Sequence, residues 1–175
     1  MPGQTAAGAI APIDGSWTAG QGSIAGYRVQ EEFMGIGNTV VGRSTVVAGT
    51  VVISQGEVSS ASFRVDLATV EAGGKPQPQL AGIMDTTMYP DATFRLTTPI
   101  VLSVPPTVNK SFIFDAIGLL TMHGTTRAVT VAITARYTGS ILEATGSIPV
   151  DFSQWNIQSP VENSGDVEFL LMLRR

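Results

Sequence analysis

Hydrophobic and polar residues alternate with a period of two along most of this chain, in short runs separated by glycine-rich or polar turns. Successive side chains of a β-strand point to opposite faces, so this period predicts strands with one apolar face. Valine, threonine and isoleucine, which favour strands, dominate the runs. The pattern predicts eight strands, the first bent near Gly20 to Gly22, over residues 16–33, 40–54, 57–70, 91–98, 112–122, 126–137, 141–151 and 167–174.

One stretch departs from this pattern. Between Gln77 and Met88 the β-branched residues become sparse, and residues 79–85 are predicted to form one or two helical turns. Pro76 and Pro78 precede them, and proline suits the start of a helix.

Short connections favour pairing of neighbouring strands as hairpins, and such a sheet leaves exposed edges unless it closes on itself. Eight strands can close into a barrel that holds side chains or one small ligand. We therefore expect an all-β fold, an eight-stranded antiparallel barrel with one short helix near an opening. It should form a single domain over residues 15–175, preceded by a flexible N-terminal segment, residues 1–14.

Composition excludes several classes of function. Hydrophobic residues make up 43% of the chain and charged residues 14%, which is enough apolar material for a core. The net charge is −4 and no basic stripe is present, which argues against binding to nucleic acid or docking on an anionic membrane. The absence of cysteine excludes disulfides, thiolate metal sites and thiol catalysis.

The polar residues form no catalytic constellation. His123 is the single histidine, and with Gly124 it is predicted to form a hairpin turn. Arg127 is predicted to fix this hairpin through backbone carbonyls or a carboxylate. Glu31 and Glu32 are adjacent, so on a strand they face opposite ways and cannot work as an acid–base pair. We expect no enzyme active site, no cofactor and no metal site.

The inward faces of the predicted strands carry many phenylalanines. In residues 61–70, for example, Phe63, Val65 and Leu67 share one face, while Arg64 and Asp66 share the other. A filled core and a hollow barrel give the same alternation, so the pattern alone leaves both open.

Two central motifs, with their order and spacing, resemble those of a known family. The run LTMHGTTRAVTV (Leu120 to Val131) is similar to that family's L-T-x-H-G strand end with its following T-R and valine-rich strand. Upstream, GIMDTTMYPDATF (Gly82 to Phe94) is similar to its F-D-x-x-x-Y-P-x-x-x-F segment. These features, with SIAGYRV, GSIPVDF and VEFLLMLRR, resemble the YceI-like family.

The resemblance implies a lipocalin-like barrel that holds a long apolar molecule, such as a polyisoprenoid, a quinone or an acyl chain. It also implies pairing into homodimers, an extracytoplasmic location (periplasmic, secreted or membrane-tethered) and a membrane tether lost ahead of residue 1; a cytoplasmic location stays open. The predicted ligand-binding residues are Tyr27, Val29, Phe33, Phe63, Val65, Met84, Tyr89, Phe94, Leu96, Phe112, Phe114, Met122, Phe152 and Trp155.

Two other functions fit the same sequence. A barrel of this kind could promote a cyclisation or isomerisation of a hydrophobic substrate by confinement alone, because such catalysis needs orientation rather than acid–base groups. A barrel with a filled core could instead serve as a structural or partner-binding module. A cavity inside the barrel would argue against this last alternative.

Overall fold

The computed structural model of the protein describes residues 13–102, 106–158 and 163–175. The residues 1–12 of the predicted N-terminal segment lie outside the described residues. The strands are β1 (Gly15–Ala19), β2 (Ile24–Phe33), β3 (Ile36–Ser44), β4 (Val47–Ser54), β5 (Glu57–Asp66), β6 (Glu71–Ala72), β7 (Lys75–Pro76), β8 (Asp91–Leu96), β9 (Ile100–Val101), β10 (Ser111–Met122), β11 (Thr125–Tyr137), β12 (Leu142–Asp151) and β13 (Ser164–Arg174).

Eight of these strands close into the predicted antiparallel barrel, in the order β1-β4-β5-β8-β10-β11-β12-β13. Pairing of Thr18 and Ala19 in β1 with Arg174 and Leu173 in β13 completes the circle. Closure removes the free edges that a sequential antiparallel sheet would otherwise expose. The predicted all-β, lipocalin-like fold is confirmed.

The first two predicted strands are each broken into two, and both breaks involve a buried serine. Ser23, between β1 and β2, accepts a hydrogen bond from the backbone N–H of Met172 at 2.9 Å. Ser44, at the end of β3, accepts one from the N–H of Val46 at 3.0 Å and bonds the hydroxyl of Thr69 at 2.6 Å. These side-chain bonds satisfy backbone and hydroxyl groups where the ladder is interrupted.

The predicted helix is present as α1 (Pro78–Met84), with proline in its first turn and Asp85 in the left-handed conformation at its C-cap. Two shorter 3-10 helices, Leu67–Thr69 and Phe152–Trp155, follow β5 and β12. Leu80, Ile83 and Met84 of α1 pack against the barrel interior, so the helix covers one end of it.

The interior contains two hydrophobic clusters, one toward each end of the barrel. The Trp17 cluster has as its members Ile13, Trp17, Ala19, Val51, Ile53, Val58, Leu96, Ala116, Tyr137, Leu142, Ala144, Leu171 and Leu173. The Trp155 cluster has Val29, Met84, Ala92, Leu120, Met122, Val131, Ile148, Val150, Phe152, Trp155 and Ile157. Phe94, Ile133 and Phe169 pack against both clusters and so lie between them.

A tryptophan with a satisfied indole N–H anchors each cluster. Trp17 is fully buried, donates to the carbonyl of Ile13 at 2.8 Å and meets the ring of Tyr137 edge-on, while the guanidinium of Arg175 lies 4.7 Å from its ring centroid. Trp155 donates to the carbonyl of Leu120 at 3.0 Å. A buried indole N–H usually requires such a partner, so each ring is fixed in orientation.

Replacement of Trp17 by alanine should strongly destabilise the barrel. The change removes a buried ring, its hydrogen bond and its contacts with Tyr137 and Arg175 at the point where β1 closes the sheet. We expect the free energy of unfolding to fall by about 3–5 kcal/mol, measured by denaturant titration. A loss below about 1 kcal/mol, the level of an ordinary surface substitution, would contradict this role.

Candidate ligand-binding cavity

An apolar cavity of about 150 Å³ lies inside the barrel and touches members of both clusters. Its wall consists almost entirely of hydrocarbon side chains. Dry apolar cavities of this size accept small apolar guests such as benzene, because no water is held there by polar partners.

Six of the predicted ligand-binding residues line this cavity. They share inward positions on β5, β8 and β10, and they are Phe63, Val65, Phe94, Leu96, Phe112 and Phe114. Phe112 and Phe114, two residues apart on one strand face, stack with their ring centroids 5.7 Å apart.

The other predicted residues whose side chains are described lie outside the cavity lining. Val29, Met84, Met122, Phe152 and Trp155 are buried members of the Trp155 cluster, and Tyr27 packs against it. Tyr89 instead meets the ring of His123 edge-on, with 5.3 Å between the ring centroids. The side chain of Phe33 is outside the described residues. As ligand contacts, these residues therefore remain predictions.

Aliphatic residues make up a part of the wall that the sequence reasoning did not select. These residues alternate inward on β4, β11 and β13 and include Val47, Val51, Ile53, Ile133, Leu171 and Leu173. Their alternation is visible in the sequence. The predicted ligand-binding residues are mostly aromatic, although a methylene wall serves an apolar guest equally well.

Three phenylalanine rings of the wall lie against glycines on neighbouring strands. Phe63 lies over Gly49, Phe94 over Gly118 and Phe169 over Gly146, and a β-carbon on any of these glycines would overlap the ring. Phe169 and Gly146 are direct partners in the β12–β13 ladder, as are Phe63 and Gly49 between β4 and β5. The glycines therefore let the rings lie against the wall of the barrel, which leaves the centre open.

The charged residues beside the cavity are engaged in ion pairs with other residues. Glu168 accepts hydrogen bonds from Arg28 at 3.0 Å and Arg43 at 2.7 Å. Arg64 lies 3.9 Å from Asp91. Phe63 and Val65 point inward on β5, so Arg64 between them points outward. These residues therefore present no charge to the cavity.

The pKa values of Tyr27 and Glu168 are shifted from their ordinary values. Burial raises the pKa of the Tyr27 phenol, which keeps it neutral. Burial also acts to raise the pKa of Glu168, but the hydrogen bonds and charges of Arg43 and Arg28 outweigh it, so the pKa of this carboxyl is lowered. The carboxylate and its two arginines thus join β13, β2 and β3 on the outer face.

His123 and Arg127 have structural positions at the Trp155 end. His123 and Gly124 both have positive φ, +51° and +72°, and form the predicted hairpin turn between β10 and β11. Arg127 donates to the carbonyl of Gln154 at 2.6 Å, so it binds β11 to the 3-10 helix after β12 rather than to its own hairpin.

Metal-binding clusters and membrane-spanning helices are both absent from the described residues. Across residues 13–102, 106–158 and 163–175, no three histidine or acidic side chains lie close enough together to hold a metal ion. None of the helices described there has the length and apolar character needed to cross a membrane.

Sequence comparison identifies the family. A family model described as the YceI-like domain matches residues 18–173. The chain belongs to the YceI-like family. The family match runs from Thr18 in the closing strand β1 to Leu173 in β13, and so covers nearly the whole barrel. A search of curated protein sequences gives no match.

Solved structures share the YceI-like fold at low sequence identity. A polyisoprenoid binding domain from Saccharophagus degradans, implicated in plant cell wall breakdown, aligns with a TM-score of 0.71 and 15% identity, covering 91% of this chain and 97% of its own. BcnA from Burkholderia cenocepacia gives 0.62 and 21%, covering 90% and 95%. A mutant CJ YceI protein with a monobromobimane guest gives 0.63 and 13%, covering 82% and 89%. At these identities the comparison establishes the fold.

Substitution of Gly146 by alanine should reduce the cavity. The atoms nearest to the new methyl group would be side-chain atoms of Phe169 and Val131, not backbone atoms. The ring of Phe169 must therefore move inward. We expect a displaced Phe169 ring in a crystal structure and a loss of about 1–3 kcal/mol in unfolding free energy. Gly37→Ala is the control, since open space surrounds Gly37. An unmoved ring with unchanged stability would refute the wall arrangement.

Stability should depend on pH through Glu168. Its folded-state pKa is lowered, so its contribution is fully present above the unfolded-state value of 4.5 and is lost as the pH falls through the lower folded-state value. Glu168→Gln should therefore lower thermal stability at pH 7 and bring the variant and wild type together at low pH. A difference that stays constant between pH 7 and pH 2 would contradict this linkage.

Proposed function

We propose that this barrel binds a long apolar molecule, a polyisoprenoid, quinone or acyl chain, within its interior. The observation that carries the proposal is the cavity of about 150 Å³ with a wall of hydrocarbon side chains. Each methylene buried there contributes roughly 0.8 kcal/mol. A dozen carbons buried by the protein, one segment in the cavity and the rest beside it, suffice for micromolar affinity after the costs of ordering the chain.

The family supports the same class of ligand. One structural relative is a polyisoprenoid binding domain. The cavity also argues against a barrel with a filled core. Binding of this kind needs no reactive group, and the role is carriage or sequestration rather than turnover. The extracytoplasmic location, the dimer and the membrane tether belong to the same proposal and rest on the family resemblance.

Two measurements test the proposal on the whole chain. Organic extracts of protein purified from a lipid-rich host should contain an apolar compound in stoichiometric amount by mass spectrometry. Retinol, a fluorescent isoprenoid, should bind the extracted protein with a Kd in the micromolar range or below. Extracts without any such compound, together with no uptake of retinol, would overturn the proposal.

A matched pair of substitutions locates the binding inside the barrel. Ala135 lines the cavity and is buried, whereas Ala132 on the same strand is exposed on the outer face. Ala135→Phe fills the cavity and should weaken retinol binding at least tenfold, or by about 1.4 kcal/mol. Ala132→Phe should bind as wild type does. Circular dichroism confirms that both variants fold, and equal affinities for the two variants would place the site elsewhere.

A further inference from the structure

Among the described residues, the strand pairing of the barrel wall is interrupted between β9 and the first half of β10. The ladder between β8 and β10 runs from Thr93–Thr121 to Leu96–Gly118 and ends with the N–H of Thr97 donating to the carbonyl of Ile117. Beyond this point the chain leaves β10 but remains paired with β5, its neighbour on the other side. Ile100 and Val101 pair with Val58 and Glu57 of β5, and the N–H of Leu102 donates to the carbonyl of Gly56.

Among the described residues, the first half of β10 is therefore hydrogen-bonded to a neighbouring strand on one side only. Residues 111–116 pair with β11, while the described residues 100–102 pair with β5 instead. β9 and the first half of β10 can therefore move apart without breaking a described backbone hydrogen bond between strands. Where neighbouring strands are paired, their separation would break hydrogen bonds that are costly to leave unmade. The β11–β12 ladder also stops early, at Ala132–Ser147, but there Arg127 of β11 donates to the carbonyl of Gln154 in the 3-10 helix that follows β12.

The cavity reaches this interruption from within. Ile100 and Leu102 on one side and Phe112 and Phe114 on the other all line it. Phe63, Phe94 and Phe169 pack against the hydrophobic clusters, whereas Phe112 and Phe114 are absent from the side chains packed against either cluster. These two rings are half-buried and stack on each other. They therefore stand at the border of the cavity rather than in the core.

The outer surface along the same interruption is also apolar. Val101 is 72% exposed and Ile113 is 75% exposed, and Val108 and Ile117 are exposed as well. Large hydrophobic side chains grouped on a surface in this way mark an interaction or ligand site more often than chance placement. An apolar path thus runs from the solvent-exposed residues to the interior.

By contrast, both ends of the barrel are closed. The Trp17 cluster fills one end and the Trp155 cluster, with α1, fills the other. No residue of α1 lines the cavity. The cavity of about 150 Å³ also suits a benzene-sized group and not a whole long chain, so the rest of such a ligand needs a way out of the barrel.

We infer that an apolar ligand enters through the side of the barrel, at a lateral mouth formed by Ile100 and Leu102 of one edge and Phe112 and Phe114 of the other. A long chain places one segment in the cavity and passes between these two edges to the surface beside Val101 and Ile113. This inference rests on the proposed function and adds to it the route of the ligand.

The test uses the absence of cysteine in the wild-type chain. Ile113→Cys, on the outer face beside the mouth, is labelled with a bulky maleimide, and retinol association and dissociation are followed by stopped-flow fluorescence. Thr130→Cys, exposed on β11, and Met88→Cys, exposed near the end covered by α1, are labelled as matched controls.

We expect the label at position 113 to slow both rates at least tenfold, with a smaller change in Kd, because a blocked route hinders entry and exit alike. The labels at positions 130 and 88 should leave both rates within twofold of wild type. Slowing at position 88 and not at 113, or equal rates for all three proteins, would overturn the lateral mouth while leaving the proposed binding intact. Failure of the unlabelled wild type to take up retinol, together with organic extracts that contain no apolar compound, would overturn the proposed function, and the mouth with it.

Discussion

The hollow interior depends on the contact between aromatic rings and glycines of neighbouring strands. A phenylalanine that points into a barrel normally fills the centre, because its ring extends well beyond the backbone. Here Phe63, Phe94 and Phe169 lie against positions that lack a β-carbon, so each ring occupies the wall. The same residues that would build a solid core thereby enclose a cavity, and the rest of the proposed function follows from that space.

The closed ends of the barrel separate the cavity from water. Trp17 and Trp155 each donate an indole hydrogen bond to a backbone carbonyl, and their clusters pack the two ends of the barrel. A lipocalin-like barrel with an open end would admit water along with its ligand. With both ends packed, a discontinuity of the wall beside the cavity lies where the chain after β8 leaves β10 and stays paired with β5.

Most of the fold was predictable from the sequence, because the two-residue period fixes strand type and inward face. The breaks at Ser23 and Ser44 were less accessible, since they depend on side-chain bonds to residues distant in the chain. The site was predictable only in part. Alternation predicts that Phe63 and Phe152 both point inward, but it does not give their positions along the barrel axis. Phe152 lies in the Trp155 cluster, which packs one end of the barrel. Nor does alternation show that Gly146 lies opposite Phe169, because that depends on the register of β12 and β13.

The polar residues next to the cavity indicate how a ligand would be selected. Glu168 is held by Arg28 and Arg43, and Arg64 is paired with Asp91, so these charges are already satisfied by protein partners. A headgroup inside the cavity would find no free partner there and would lose its hydration, at a cost of several kcal/mol for a charged group. The interior therefore favours the hydrocarbon part of an amphiphile. Any polar end of such an amphiphile would be excluded to the surface.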